Sequence, residues 1–480
     1  MSDNQHTRLA KNIGWQSLNM LLRVGMSVIA LAILSRIGGP ETMGVYGIAW
    51  VLPAIFLALM QAGAAQSVFL IDNLTNGHRS AAFISSTAIS ILGALLITAV
   101  SPVAAEFYRL PVLTEAFLAA AAFTLFMGLG VVDLAMTQRR LDFSTVALVQ
   151  TTANLCSALL AIALGYLGYP LIGLLALQGA ISPIQFLIFR IKRYPMQFCW
   201  PRLTELKEVW RHGIHLSSNT VTANILVNYS QLVLAASLPV HELGLFTLAR
   251  RIVELINNQI GGIVGQVLFP SIAASRYALQ EVAKTYLVVS RVTAMVMMAP
   301  LVIIVSAPAQ FLDLFGGGQW TTGASVLVML CLMQAGLAIG QNLFGVMQAV
   351  GQASTVWKWN IAFTVWQASL VIIFGRESAT AAGAAMAAST LAMPLAAYIL
   401  SRIVPFRMVD WARNYLGVFT AAALTVLLVP VLTDAVTPGV SGEMRLGINA
   451  ATAATTYGML VFILNFRFIF GLARGAGLKR

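Results

Sequence analysis

The chain reads as an all-α integral membrane protein, and three observations carry that reading: its apolar content, the spacing of its apolar segments, and the one-sided placement of its cations. Hydrophobic residues make up 59% of the 480, and charged residues only 10%. The mean hydropathy is +0.83. Soluble domains carry roughly 25% charge, so a chain this poor in charge is built for a lipid surround. A helix needs about 20 apolar residues to cross the hydrocarbon core. About fourteen segments qualify: 12–36, 43–70, 81–105, 112–135, 143–166, 170–190, 210–237, 243–273, 286–311, 321–349, 355–375, 380–403, 412–433 and 447–470.

The net charge of +12 is explained by topology rather than by nucleic acid. With the N-terminus inside, most of the 29 lysines and arginines face the cytoplasm, Arg79, Arg139, Arg140, Arg190, Lys192 and Arg193 among them. Arg36, Arg109, Arg376 and Arg445 fall outside, and Arg23, Arg250, Arg251, Arg291 and Lys358 lie within segments. That asymmetry is the positive-inside rule, and it predicts that both termini are cytoplasmic. Cys156 and Cys331 lie in segments and Cys199 in a cytoplasmic loop, so no disulfide framework is expected. The first apolar segment is too long for a removable signal peptide and has no small-residue cleavage site.

The chain also repeats itself. Gly14-Trp15-Gln16-Ser17 and Gly213-Ile214-His215-Leu216 open two segments, and Gly44-Val45-Tyr46-Gly47-Ile48-Ala49 matches Gly244-Leu245-Phe246-Thr247-Leu248-Ala249 at an offset of 200. Gln138 with Ser144-Thr145-Val146 matches Gln348 with Ser354-Thr355-Val356 at an offset of 210. Six segments separate equivalent points, so both halves enter from the same side, as in a parallel repeat with a pseudo-twofold axis along the membrane normal. The expected organisation is two six-helix lobes, residues 1–195 and 196–405, followed by two C-terminal helices and a cytoplasmic tail at 406–480. Outside loops are short, the largest near 434–446.

An arginine pair breaks the apolar run of the eighth segment. Thr247, Arg250, Glu254, Asn257 and Gly261 recur every three or four residues and share one helix face, with Arg251 and Asn258 beside them. A charge at mid-helix costs about 2.5 to 3.5 kcal/mol on translocon scales, so two arginines need a reason. One reason is a water-filled cavity that receives an anion. The other is structural: Glu254 lies four residues after Arg250 and three after Arg251, within ion-pair reach. The first segment places Gln16, Asn19, Arg23 and Ser27 on a stripe, and Arg23 has no acid in its own helix. The seventh places His215, Ser218, Asn219, Thr222 and Tyr229 on one face, and the tenth holds Gln334, Gln341 and Gln348. Such stripes normally face a bundle interior. The glutamines read as interhelical glue, Asp133 as a charge balance at its helix end, and His215 as a packed residue. Gly261, Gly262, Pro53 and Pro270 interrupt helices, either as bends for opening and closing or as static kinks. No nucleotide loop, nucleophile elbow or paired His/Cys ligand spacing is found, so neither catalysis nor a cofactor is expected.

Several of these stretches resemble the polysaccharide flippases (O-antigen and exopolysaccharide, Wzx-like) of the multidrug/oligosaccharidyl-lipid/polysaccharide exporter superfamily. The most specific is Gln138-Arg139-Arg140-Leu141-Asp142-Phe143. Gly44-Val45-Tyr46, Gly244 to Ala249, Phe269-Pro270-Ser271 and the turn from Gly165 to Gly173 add to it. The resemblance implies a fourteen-helix bacterial inner-membrane protein whose two lobes surround a cationic central cavity. It implies transfer of undecaprenyl-pyrophosphate-linked oligosaccharide across the bilayer by alternating access, driven by an H+ or Na+ gradient, with membrane lipids, a polysaccharide polymerase and glycosyltransferases as partners. The residue chemistry agrees. Arginine holds a diphosphate by charge and by its planar fork, and Asn, Gln, Ser and Thr suit glycan hydroxyls. Arg23, Arg250, Arg251, Asn19, Asn219, Glu254 and Asn257 are therefore the expected substrate-binding set, although the repeat partners of Arg250 and Arg251 are the uncharged Trp50 and Val51.

Three alternatives stand beside this reading. A cation-coupled multidrug exporter of the same superfamily should hold free carboxylates in its cavity, and Glu254 is the only acid well inside a segment. A membrane-embedded glycan polymerase or ligase should carry a sizeable outside loop with acid and base groups. A purely structural scaffold gives no reason for buried arginines.

Overall fold

The structure is a computed structural model that describes residues 2–71, 73–140, 142–192, 199–274, 278–436, 442–466 and 468–470. Its helices run in the order α1 (Ser2–Ala49), α2 (Val51–Leu59), α3 (Gln66–Leu70), α4 (Asn76–Phe107), α5 (Val112–Arg139), α6 (Phe143–Tyr166), α7 (Pro170–Gly179), α8 (Ile181–Ile191) and α9 (Leu203–Ala235). They continue as α10 (Val240–Ala274), α11 (Leu279–Ser306), α12 (Pro308–Gly316), α13 (Ala324–Ala349), α14 (Ala353–Phe374), α15 (Ala379–Ser389), α16 (Met393–Ser401), α17 (Met408–Val436) and α18 (Gly442–Leu464). No strand occurs among the described residues. Each of the fourteen apolar segments falls on a helix or on consecutive pieces of one. By length and apolarity alone, nine helices among the described residues can cross a membrane, or ten if the pair α7 and α8, bent by 53°, is one span. That number is compatible with fourteen: Gly25–Leu59 covers parts of two segments, α9 and α10 run over residues whose side chains lie outside the description, and α14 falls outside the qualifying set.

By proximity the chain divides into two compact units, Met1–Gly244 and Leu245–Arg480. In the first unit, the first two apolar segments are not separated by a loop. α1 is two helices that meet at a non-helical Gly39, whose φ of 71° lies in the left-handed region that favours glycine, and the second of them begins the second segment. Pro40 follows, where its missing N–H costs nothing at a restart. α2 then widens into a π-helical turn at Met60–Ala65 before α3. α4 and α5 form a tight antiparallel pair, sewn by Ser86, Ser90 and Ser101, whose hydroxyls donate to the carbonyls of Gly128, Leu125 and Thr114. With little hydrophobic drive between helices in lipid, small residues and such bonds bring backbones together. α9, which the repeat assigns to the second lobe, packs here against α1 to α4 and the π-helical turn.

The repeat has a physical counterpart within this unit. A Cβ on Gly44 would overlap the carbonyl oxygen of Val240, and a Cβ on Gly244 would overlap that of Pro40. Pro40 and Val240 stand at the same offset as the two glycines, so one crossing contact is made twice, reciprocally.

In the second unit, the two helices beyond the repeat are fixed to α11 and α13 by polar bonds. Trp411 Nε1 donates to the Tyr286 hydroxyl at 3.1 Å, Asn414 Nδ2 to Leu287 O at 2.6 Å, Tyr415 to Ile339 O at 3.1 Å, and Tyr457 to Met295 O at 3.0 Å. Each satisfies a polar group that would otherwise be stranded in an apolar surround.

Candidate functional site

The arginine stripe lies on α10, and its first half is described. Arg250 Nε donates to Glu254 Oε1 at 2.7 Å, and Arg251 Nη1 lies 3.6 Å from Glu254 Oε2. Their spacing on one helix makes this possible: positions three and four apart are neighbours on the surface. The three side chains are mostly covered, at 11%, 23% and 32% exposure. One carboxylate thus serves two guanidiniums. Covered charge of that kind is costly unless partnered, and Glu254 is a partner to both arginines.

One helical turn on, Asn257 accepts a hydrogen bond from Gln334 Nε2 of α13 at 2.9 Å. Gln334 is 4% exposed and ties α13 to the stripe, in the bridging role its sequence position suggested. Four of the seven expected substrate-binding residues, Arg250, Arg251, Glu254 and Asn257, therefore stand together. The side chains of Asn19, Arg23 and Asn219 lie outside the described residues, as do those of His215, Asn258, Gly261, Gly262 and Pro270. In the repeat position, Trp50 stacks on Tyr46 with ring centroids 6.2 Å apart and Val51 is buried, so no cation is placed there.

Asp133, Arg190 and Arg291 have local partners. Asp133 of α5 receives Arg190 Nη2 of α8 at 2.5 Å, and Arg190 also lies over the Phe186 ring at 4.8 Å. The balance expected at Asp133 thus comes from a different helix. Arg291 of α11 donates to Asn465 Oδ1, at 2.5 Å from Nη2 and 3.1 Å from Nε, and stacks 4.4 Å from the Phe468 ring. The sequence offered no sign of that pairing, since Asn465 is 174 residues away. A separate cavity in the second unit, lined by Leu301, Cys331, Phe419 and Val426, is apolar throughout and holds nothing that could bind a phosphate.

Long apolar helices and small-residue packing define a multi-pass helical membrane protein, with two arginines and a glutamate covered on one of its helices. The model of the family described as "Polysaccharide biosynthesis protein" matches residues 33–325, more than half of the chain, and the chain belongs to that family. It is 23% identical to the teichuronic acid biosynthesis protein TuaB of Bacillus subtilis, over 83% of this chain and 84% of that one. It is 24% identical to the succinoglycan biosynthesis transport protein ExoT of Rhizobium meliloti, over 73% and 71%. Its fold is similar to that of the lipid II flippase MurJ in an inward closed conformation, with a TM-score of 0.78 at 14% identity, covering 95% of this chain and 99% of that one.

Proposed function

We propose that this protein moves undecaprenyl-pyrophosphate-linked oligosaccharide from the cytoplasmic to the outer leaflet of a bacterial inner membrane during polysaccharide synthesis, by alternating access through a cationic cavity. Membership of a polysaccharide biosynthesis family, a transport protein among its relatives and a flippase-like fold support the reading. The single observation that carries it is the cluster of two arginines around one carboxylate on an otherwise apolar helix. A diphosphate is anionic and accepts the planar fork of arginine, while the prenyl tail stays in the bilayer. Glu254 is engaged by both arginines, so it is poorly placed to act as the open carboxylate that a cation-coupled drug exporter needs. Arg23 is assigned an assisting role from α1, and an H+ or Na+ gradient the role of driving turnover.

The test is glycan export, read alongside protein level, for Arg23→Ala, Arg250→Ala, Arg251→Ala and their lysine counterparts. Export should fall at least tenfold for Arg250→Ala and Arg251→Ala, consistent with roughly 1.4 kcal/mol or more of lost charge-assisted binding. Normal export at normal protein level in both would refute the reading.

A further inference from the structure

A second group of arginines stands in the first unit, on the face that the distribution of lysine and arginine assigns to the cytoplasm. Arg79 opens α4, and Arg139 and Arg140 close α5. Beneath them, Val68, Ile71, Ala81, Ala82, Val132, Met136 and Val209 form one buried apolar core, so the α3 end, the α4 start and the α5 end are held as a unit. Arg139 Nη1 donates to the Val68 carbonyl. That bond fixes one guanidinium on the end of α3 and sets the other two beside it. Arg79 lies in the positive field of both Arg140 and Arg139.

Three like charges gathered on a preformed core repel one another, and the nearby Glu205 and Glu208 are committed elsewhere. Glu208 pairs with His78 at 3.0 Å. Glu205 accepts from the Thr75 hydroxyl at 2.6 Å and from the Arg202 N–H at 2.8 Å, and these bonds hold its pKa below the ordinary glutamate value, the Thr75 bond foremost. Asp142 caps α6 through Thr145 N at 3.1 Å. Among the described residues, neither Arg79 nor Arg140 has an acid within ion-pair distance. Arg79 Nε is buried with no hydrogen-bond partner, and the only bond of its guanidinium is a long one to Asn76, at 3.4 Å. A buried donor left unmet costs stability unless something else meets it.

We infer that Arg79, Arg139 and Arg140 form a binding site for a lipid-borne phosphate at the cytoplasmic leaflet. A phosphate or diphosphate supplies negative charge and acceptor oxygens to the guanidinium ends of Arg79 and Arg140, with Arg139 adding to the positive field. Polybasic groups at this depth gain affinity for anionic headgroups from each added cation. The site is distinct from the α10 stripe and does not rest on the transport reading. Two sources offer the same chemistry: the diphosphate of a prenyl lipid and the phosphodiester of an anionic phospholipid.

The experiment is native mass spectrometry of the full-length protein released from detergent, titrated separately with farnesyl diphosphate and with phosphatidylglycerol. Arg79→Gln/Arg140→Gln is the test variant, since Arg139 also has a structural bond. Arg407→Gln/Arg413→Gln, which removes the same charge from exposed positions near α17, is the control. The test variant should bind one or both probes roughly tenfold more weakly, while the control stays within about twofold of the natural protein. Loss confined to farnesyl diphosphate assigns the site to the prenyl lipid, and loss confined to phosphatidylglycerol assigns it to bulk phospholipid. Unchanged binding of both probes, or an equal loss in the control, would overturn the inference. Glycan export by the Arg250 and Arg251 variants is a separate readout, so the two readings fail independently.

Discussion

At the scale of single residues, the decisive fact is one glutamate between two arginines. Glu254 is roughly a third exposed, so its pairing is worth less than the 3 to 5 kcal/mol typical of a fully buried pair. It still lowers the cost of placing Arg250 and Arg251 within an apolar helix. A double-mutant cycle measures this. Glu254→Gln should lower the thermal midpoint in detergent, and Arg250→Ala should cost about 1 kcal/mol less in the Glu254→Gln background than in the natural protein. Strict additivity would show that the 2.7 Å contact contributes nothing. Arg291 is the contrasting case. Its neighbours are an amide and an aromatic face, which satisfy a guanidinium without removing its charge.

At the scale of elements, the reciprocal crossing of α1 and α10 is the sharpest constraint. A methyl at Gly244 meets the backbone carbonyl of Pro40, and backbone cannot swing aside as a side-chain tip can. Gly244→Ala should therefore cost about 1 to 3 kcal/mol, the range for overpacking. Gly345, inside α13 with nothing within 4 Å of a built Cβ, is the internal control. Gly345→Ala should stabilise by about 0.5 to 1 kcal/mol, because alanine is the better helix former. Thermal midpoints of the two variants, taken side by side, separate close approach from helix propensity. If both rise together, the crossing is looser than described.

At the scale of the whole molecule, the orientation we propose from the cations, with both termini in the cytoplasm, is open to direct measurement. Cys199 is exposed in the stretch between α8 and α9, Cys331 is buried, and Cys156 lies on the exposed face of α6. A membrane-impermeant maleimide should label Cys199 only after the cells are permeabilised, with a Cys156→Ser/Cys331→Ser background isolating that thiol. Labelling in intact cells would place both termini on the wrong side and reverse the direction of transport.

Much of this was legible in the residues. Apolar length and low charge determined a helical membrane protein, because a chain in hydrocarbon must satisfy its backbone within its own helices. Helical spacing determined that Arg250, Arg251 and Glu254 would meet, since positions three and four apart on one helix are neighbours whatever surrounds them. Tertiary structure alone decided the rest. The first two segments meet directly at a non-helical Gly39, because a left-handed glycine turns the chain sharply between two helices. Asp133 meets Arg190, Asn257 meets Gln334, Arg291 meets Asn465, and Arg79 meets Arg139 and Arg140. These partners lie between 57 and 174 residues apart where a bond joins them. Local periodicity states which face of a helix a side chain occupies; which other helix lies against that face is set by packing, and packing is a property of the folded chain.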